Sequence, residues 1–115
     1  MKRRFAGLVA ALGIASCAPN GSSSGYGGNC PTVNASCPSS PPSYAATIAP
    51  IVNMNCIPCH SPTGDASDKP LGQYAGLYKY RTTSLSTVLT CKMPLVPLSD
   101  KKLFVEWLAC GAPDN

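Results

Sequence analysis

Five consecutive residues carry the clearest chemistry in the sequence: Cys56 to His60, in the order Cys-Ile-Pro-Cys-His. Two cysteines separated by two residues and followed at once by a histidine form the attachment pattern of a c-type haem. Each thiol adds to one vinyl group of the macrocycle, so both sulfurs must lie on one side of the chain, one helical turn apart. The adjacent imidazole then serves as the proximal iron ligand. Since His60 is the single histidine of the chain, no other imidazole competes for the iron.

Other interpretations of Cys56 and Cys59 meet specific objections. Half of a structural zinc site would need further ligands, and the chain has neither a second pair of cysteines at this spacing nor a pair of histidines. A thioredoxin-like dithiol would need a βαβ setting, which the sequence lacks. A chance pair in a cysteine-rich chain is the third alternative. Haem attachment is therefore the favoured interpretation.

The N-terminal stretch predicts export. Basic residues at positions 2–4 precede an apolar run at 8–14, an order typical of a secretory signal over residues 1–16. The run is too short to span a bilayer permanently. An Ile-Ala-Ser triplet directly before Cys17 is similar to a bacterial lipobox. We expect Cys17 to carry a lipid that anchors the protein to a membrane; the alternative is an ordinary signal with Cys17 as a spare thiol.

The charge of the chain excludes one class of partner. The formal charge of +4 includes the basic residues at positions 2–4, and without them six basic residues face five acidic ones, a net charge of +1. We expect no nucleic-acid binding, because such proteins present a strongly basic surface. The expected location is the periplasmic or cell-surface side of a bacterial membrane. The outer membrane is favoured because Ala18 stands where an aspartate would mark inner-membrane retention.

Seven cysteines are present, and three of them are assigned above to lipid and haem. The other four are Cys30, Cys37, Cys91 and Cys110. Thiols tend to pair in the oxidising compartment that an exported chain enters, and four cysteines allow three pairings. We expect disulfides Cys30–Cys37 and Cys91–Cys110, because the first pair lies in a linker and the second in the folded part.

The chain divides into a tether and a domain. Residues 17–43 comprise the cysteine to be lipidated and a stretch rich in Ser, Gly and Pro. Such a composition buries too little apolar surface to offset the entropy of ordering, so it predicts a flexible linker. Residues 44–115 carry apolar residues at helical spacing and are the predicted domain.

Helices are predicted throughout the domain. The first leads from Tyr44 into Cys56, with Pro50 kinking or shortening it. Residues 71–80 and 83–89 are predicted to form short helices, and an extended segment follows the second one.

The last helix has the clearest pattern. Ser99 is its expected N-cap, and Asp100 suits the positive end of the helix dipole. The apolar stripe that follows is made of Leu103, Phe104, Trp107 and Leu108. Gly111 and Pro113 mark its end. The charged residues of this helix are expected to face solvent.

Met93 is the candidate for the second iron ligand. An iron bound by one histidine keeps a sixth position, and Pro94 holds an extended segment that can lie across the haem. A thioether is a soft, neutral ligand that favours ferrous iron. The alternative is that Met93 fills the core. Met54, close to the attachment motif, is expected to be a packing residue.

These features together resemble the class I cytochrome c family, and in particular its short bacterial exported members. The residues that carry the resemblance, beside the haem motif, are Cys91, Met93, Pro94, Trp107, Cys110, Gly111, Ala112 and Pro113. The resemblance implies an all-α small cytochrome c fold, with three to four helices around one covalently bound haem c. It also implies that a backbone carbonyl near Pro70 orients the histidine.

The resemblance implies a membrane-anchored monohaem electron carrier. Two protein ligands leave the iron no open position, so we expect an electron carrier rather than an enzyme, with transient redox protein partners. Two alternatives stay open. One is a haem-based enzyme subunit or sensor with a displaceable Met93. The other is a non-haem lipoprotein that disulfides or zinc stabilise.

Overall fold

The described part of the chain is helical in this computed structural model, which describes residues 29–95 and 97–115. A π-helical turn over Tyr44–Ile48 is followed by α1 (Ala49–Asn55), α2 (Ile57–His60), α3 (Tyr74–Lys79), α4 (Arg81–Leu89) and α5 (Leu98–Ala109). Those two ranges contain no β-strand, which confirms the all-α prediction. None of their helices has the length and apolar character needed to cross a bilayer. The predicted signal and Cys17 lie outside the described residues.

The first helix begins where the C-terminus of the chain returns to it. Ser43 is the N-cap of the π-helical turn, and its Oγ accepts the Ala46 N–H at 3.2 Å. The Tyr44 N–H donates to the Asn115 side chain at 2.8 Å, and Ser43 Oγ donates to the Asn115 carbonyl at 3.0 Å. Pro50 lies in the first turn of α1, where its missing N–H is harmless, and the helical conformation continues from the π-helical turn into α1 across it.

The core forms where α5 meets the first helix and α4. Its fully buried members are Ile48, Leu77, Val105, Trp107 and Ala112. The indole Nε1 of Trp107 donates to the Pro113 carbonyl at 3.0 Å, so its polar atom is satisfied in the core. The predicted apolar stripe of α5 is confirmed for Phe104, Trp107 and Leu108, while Leu103 is half-buried.

The beginning of α5 differs from the prediction. Pro97, not Ser99, is the N-cap, and its carbonyl accepts the N–H groups of Asp100 and Lys101 at 3.0 and 3.2 Å. Pro97 already has the extended conformation of an N-cap, with φ −71° and ψ 175°. The predicted end is confirmed at Gly111, whose φ of +85° favours glycine.

The predicted disulfide pairing is wrong. Cys30 bonds to Cys91, and Cys37 bonds to Cys110, with Cα–Cα distances of 5.8 and 4.7 Å. The reason is that residues 29–43 run along the domain instead of away from it, so each cysteine of this segment meets one from the helical part. The described half of the predicted linker is therefore fixed to the domain at two points.

A buried lysine strengthens this attachment. Lys101 is completely inaccessible to solvent, and its Nζ donates to the Pro31 carbonyl at 2.8 Å. The same Nζ lies 3.4 Å from the Cys91 sulfur. Burial lowers the pKa of the Lys101 ammonium. The expectation that all charged residues of α5 face solvent is wrong at this position, although Lys102 does form an exposed pair with Glu106.

Candidate haem site

The Cys-x-x-Cys-His motif lies at the junction of α1 and α2, with Cys56 as the turn residue between the two helices and the other four residues forming α2. The Cys56 N–H donates to the Val52 carbonyl at 2.8 Å, and the His60 N–H donates to the Cys56 carbonyl at 2.9 Å. Helical bonding therefore continues from α1 through α2. Because residues three apart share one helix face, Cys56 and Cys59 lie one turn apart on the same side.

One cavity of about 410 Å³ brings the predicted site residues together. Cys56, Cys59, His60 and Met93 all line it. Apolar side chains contribute much of the remaining wall, and these are Met54, Pro58, Leu71, Val88, Pro94, Leu95 and Phe104. The volume lies within the range of about 300–1,000 Å³ that is usual for ligand and cofactor pockets.

His60 is held by a backbone carbonyl. Its Nδ1 lies 2.9 Å from the Lys69 oxygen. Because a carbonyl only accepts hydrogen bonds, Nδ1 carries the proton, and in the neutral imidazole the lone pair is then on Nε2. The predicted acceptor near Pro70 is thus found one residue earlier, at Lys69.

The loop between the motif and α3 is packed so closely that glycine is needed at one position within it and at one position of α3 that contacts it. A Cβ on Gly64 would lie 2.3 Å from the Cys59 carbonyl oxygen, and one on Gly76 would lie 2.2 Å from the Pro70 carbonyl oxygen. The Cys59 carbonyl also accepts the Ala66 N–H at 2.8 Å. These close approaches fix the loop that carries the Lys69 carbonyl.

Met93 reaches the cavity from the segment after α4. Its backbone N–H donates to the Thr87 carbonyl at 3.1 Å. Two residues earlier, Cys91 has a left-handed φ of +56° and is tied to Cys30. The Met93 side chain is 36% exposed, so it lies at the mouth of the cavity rather than in the core. Met54 also lines the cavity, but it is 78% exposed, and its predicted packing role is wrong.

The polar wall of the cavity was not predicted from the sequence. Thr83, Ser84 and Thr87 of α4 line it, and so does Lys69. The Thr87 Oγ1 donates to the Thr83 carbonyl at 2.9 Å, which leaves its lone pairs available as acceptors. The signal was available, because positions 83, 84 and 87 share one face of a helix.

The two cysteines of the motif differ in oxidation state, because one is a free thiol and the other is disulfide-bonded. Cys56 is the free cysteine of the described residues, and it is partly buried. Burial raises the pKa of the Cys56 thiol to about 11. Cys59 is disulfide-bonded in the structure, so attachment of any group to its sulfur would first require reduction of that bond. Within residues 29–95 and 97–115, no three His, Cys, Asp or Glu side chains converge on a possible metal position.

Alkylation of Cys56 in the haem-free protein is expected to be slow at neutral pH and to accelerate toward pH 11. The thiolate is the reacting form, and the raised pKa keeps it scarce at neutral pH. Iodoacetamide labelling over a pH series, read by peptide mass spectrometry, measures the rate. In unfolded protein the same thiol should titrate near about 8.5. If the alkylation rate of the folded protein already levelled off near the pKa of the unfolded thiol, the prediction would be contradicted.

Comparison with known proteins returned no match: no family model, no curated protein and no solved structure matches this chain.

Proposed function

We propose that this protein is a membrane-anchored electron carrier with one haem c, of the class I cytochrome c type. Cys56 and Cys59 would bind the macrocycle, and His60 and Met93 would bind its iron. The observation that carries the proposal is the single cavity that all four residues line. These residues come from two parts of the chain more than thirty positions apart, so sequence proximity does not account for their meeting.

His60 and Met93 supply donor atoms of the kinds that bind a haem iron. The protonated Nδ1 of His60 leaves Nε2 free for the iron, and the Lys69 carbonyl holds the ring and increases its basicity. The thioether of Met93 supplies the soft second ligand. A bound haem would supply an iron that alternates between the ferrous and ferric states.

The cavity walls suit the two parts of a haem, the apolar porphyrin ring and the charged propionates. Leu71, Val88, Leu95 and Phe104 are buried and would exclude water from the porphyrin ring. The hydroxyls of Thr83 and Ser84, with the ammonium of Lys69, would hydrogen-bond the carboxylates of the propionates. With His60 and Met93 as its two protein ligands, a bound haem would transfer electrons and would leave no iron position for a substrate.

Export and anchoring belong to the same proposal. Disulfides persist in oxidising compartments, and the described residues contain the two intact bonds Cys30–Cys91 and Cys37–Cys110. Lipidation at Cys17 would hold the domain on the periplasmic or cell-surface side of a bacterial membrane. Redox proteins would then dock to it transiently, as small electron-transfer interfaces do.

A second candidate is a haem sensor or enzyme subunit in which Met93 leaves the iron. The partial exposure of its side chain at the cavity mouth favours this possibility. The two disulfides are also compatible with a non-haem lipoprotein, which purified haem-free protein from cells that mature c-type cytochromes would support.

Replacing Met93 with alanine is expected to leave the haem covalently attached but to open the iron. The ferrous Met93→Ala protein should bind carbon monoxide much faster than the unchanged protein, because no ligand has to leave first. Stopped-flow mixing measures the rate. Met54→Ala is the matched control at the same cavity and should behave as the unchanged protein. Equal rates for all three proteins would show that Met93 does not bind the iron.

A further inference from the structure

Five aromatic rings form a continuous row that begins at the cavity. Phe104 lines the cavity, and its ring centroid lies 6.1 Å from that of Trp107. The next distances are 5.8 Å from Trp107 to Tyr44 and 5.1 Å from Tyr44 to Tyr74. The last is 5.7 Å from Tyr74 to Tyr78. Every ring is therefore in contact range of the next.

The row leads from the core to solvent. Phe104 and Trp107 are 2% and 0% exposed, Tyr44 and Tyr74 are half-buried, and Tyr78 is 41% exposed. Helical spacing explains two of the contacts, since residues three or four apart are neighbours on a helix surface. Tyr44, in the π-helical turn, connects the pair on α5 to the pair on α3.

Polar contacts fix the rings in place. The Tyr74 hydroxyl donates to the Ala112 carbonyl at 2.7 Å, and the Trp107 Nε1 donates to the Pro113 carbonyl at 3.0 Å. The Arg81 guanidinium lies 3.9 Å from the Tyr78 ring centroid. Tyr80 is outside this row but lines the cavity, so it offers a natural comparison.

We propose that this row is an electron-transfer route, through which an electron leaves the haem cavity to reduce an oxygen-centred radical arriving at Tyr78. The inference rests on the proposed function, because ferrous haem is the electron source. The radical takes a hydrogen atom from the Tyr78 hydroxyl and becomes a hydroxyl compound. The resulting tyrosyl radical takes one electron through the rings and one proton from solvent. In total, one radical, one ferrous iron and one proton give one hydroxyl compound and one ferric iron.

The route itself is tested in the full chain without haem. A laser flash removes one electron from Trp107, the single tryptophan of the sequence. Tyr78 then returns an electron through the row and releases its hydroxyl proton to solvent. Transient absorption should show decay of the tryptophan radical with matching growth of a tyrosyl radical, and a spin trap should be recovered on Tyr78. Tyr44→Phe keeps the ring but removes its oxidisable hydroxyl, and should eliminate the Tyr78 adduct.

Two variants make the result specific. Tyr80→Phe, the control outside the row, should leave the Tyr78 adduct unchanged. Tyr74→Phe interrupts the row one ring later, so it serves if Tyr44→Phe does not fold, and it should also eliminate the Tyr78 adduct. An unchanged adduct in Tyr44→Phe or in Tyr74→Phe, or a lost adduct in Tyr80→Phe, would overturn the inference.

A second arm uses ferrous haem-loaded protein and radiolytically generated peroxyl radicals. Ferric haem should form several-fold more slowly in Tyr44→Phe than in the unchanged protein, and unchanged kinetics would overturn the proposed use of the route. If the protein carries no haem, the proposed function fails, but the flash experiment still reports whether an electron passes through the row of rings. The two failures are therefore distinguishable.

Discussion

Replacing His60 with alanine is expected to abolish the low-spin haem spectrum of the exported protein. His60 is the single histidine of the chain, so no other imidazole can take its position. Its Nδ1 donates to the Lys69 carbonyl at 2.9 Å, which holds the ring in place and makes the imidazole more basic. A water molecule or hydroxide that replaced it in the alanine variant would have neither advantage. Absorption spectra of the oxidised and reduced protein measure the change.

The controls for this substitution separate ligation from folding. Asp65→Ala alters an exposed residue of the same loop that does not line the cavity, and it should keep the low-spin spectrum. Replacing Cys56 and Cys59 together with serine should leave any bound haem extractable by acidified organic solvent. A His60→Ala protein with an unchanged low-spin spectrum would remove His60 from the proposed site.

Removing the Cys30–Cys91 disulfide is expected to have two effects, one on stability and one on the iron. The bond joins residues 61 positions apart. In the chain-entropy model, its loss lowers the free energy of unfolding by about 4 kcal/mol, a large part of the total for a small domain. Since Cys91 is two residues before Met93, the same change should loosen the Met93 ligand and accelerate carbon monoxide binding.

The second disulfide is a matched control for this prediction. Cys37–Cys110 joins residues 73 positions apart, so serine replacement of both cysteines should also cost about 4 kcal/mol. This bond is at the end of α5, away from the Met93 segment, and carbon monoxide binding should stay slow. Urea unfolding and stopped-flow mixing of both double variants give the comparison. Equal carbon monoxide rates in the two variants would contradict a specific role for Cys30–Cys91.

The helical elements could be predicted because their signals are local. Apolar residues at helical spacing give α5, and Gly111 at its end provides the positive φ that stops the helix. The motif and Met93 were also identifiable as candidates, because their residue types limit the chemistry. Their meeting at one cavity depends on how α4 and α5 pack, and no short pattern in the sequence encodes that packing.

The disulfide partners could not be predicted for a related reason. Composition alone made residues 29–43 a flexible linker, yet this segment is bonded to the domain at Cys30 and Cys37. Lys101 contributes to holding it, and a lysine among exposed charged neighbours carries no sequence signal of complete burial. The histidine's backbone acceptor could be placed only near Pro70, because the path of the loop, and not side-chain chemistry, selects the Lys69 carbonyl.

The most direct test of the account is the spectrum of the full-length protein, exported from cells that mature c-type cytochromes and measured oxidised and reduced. The account predicts one haem per chain that resists acidified organic solvent, together with a low-spin spectrum that includes the methionine-to-iron absorption band in the oxidised form. Protein purified without haem from such cells would contradict the assignment of Cys56, Cys59 and His60. An attached haem that lacks the methionine band would contradict the role of Met93.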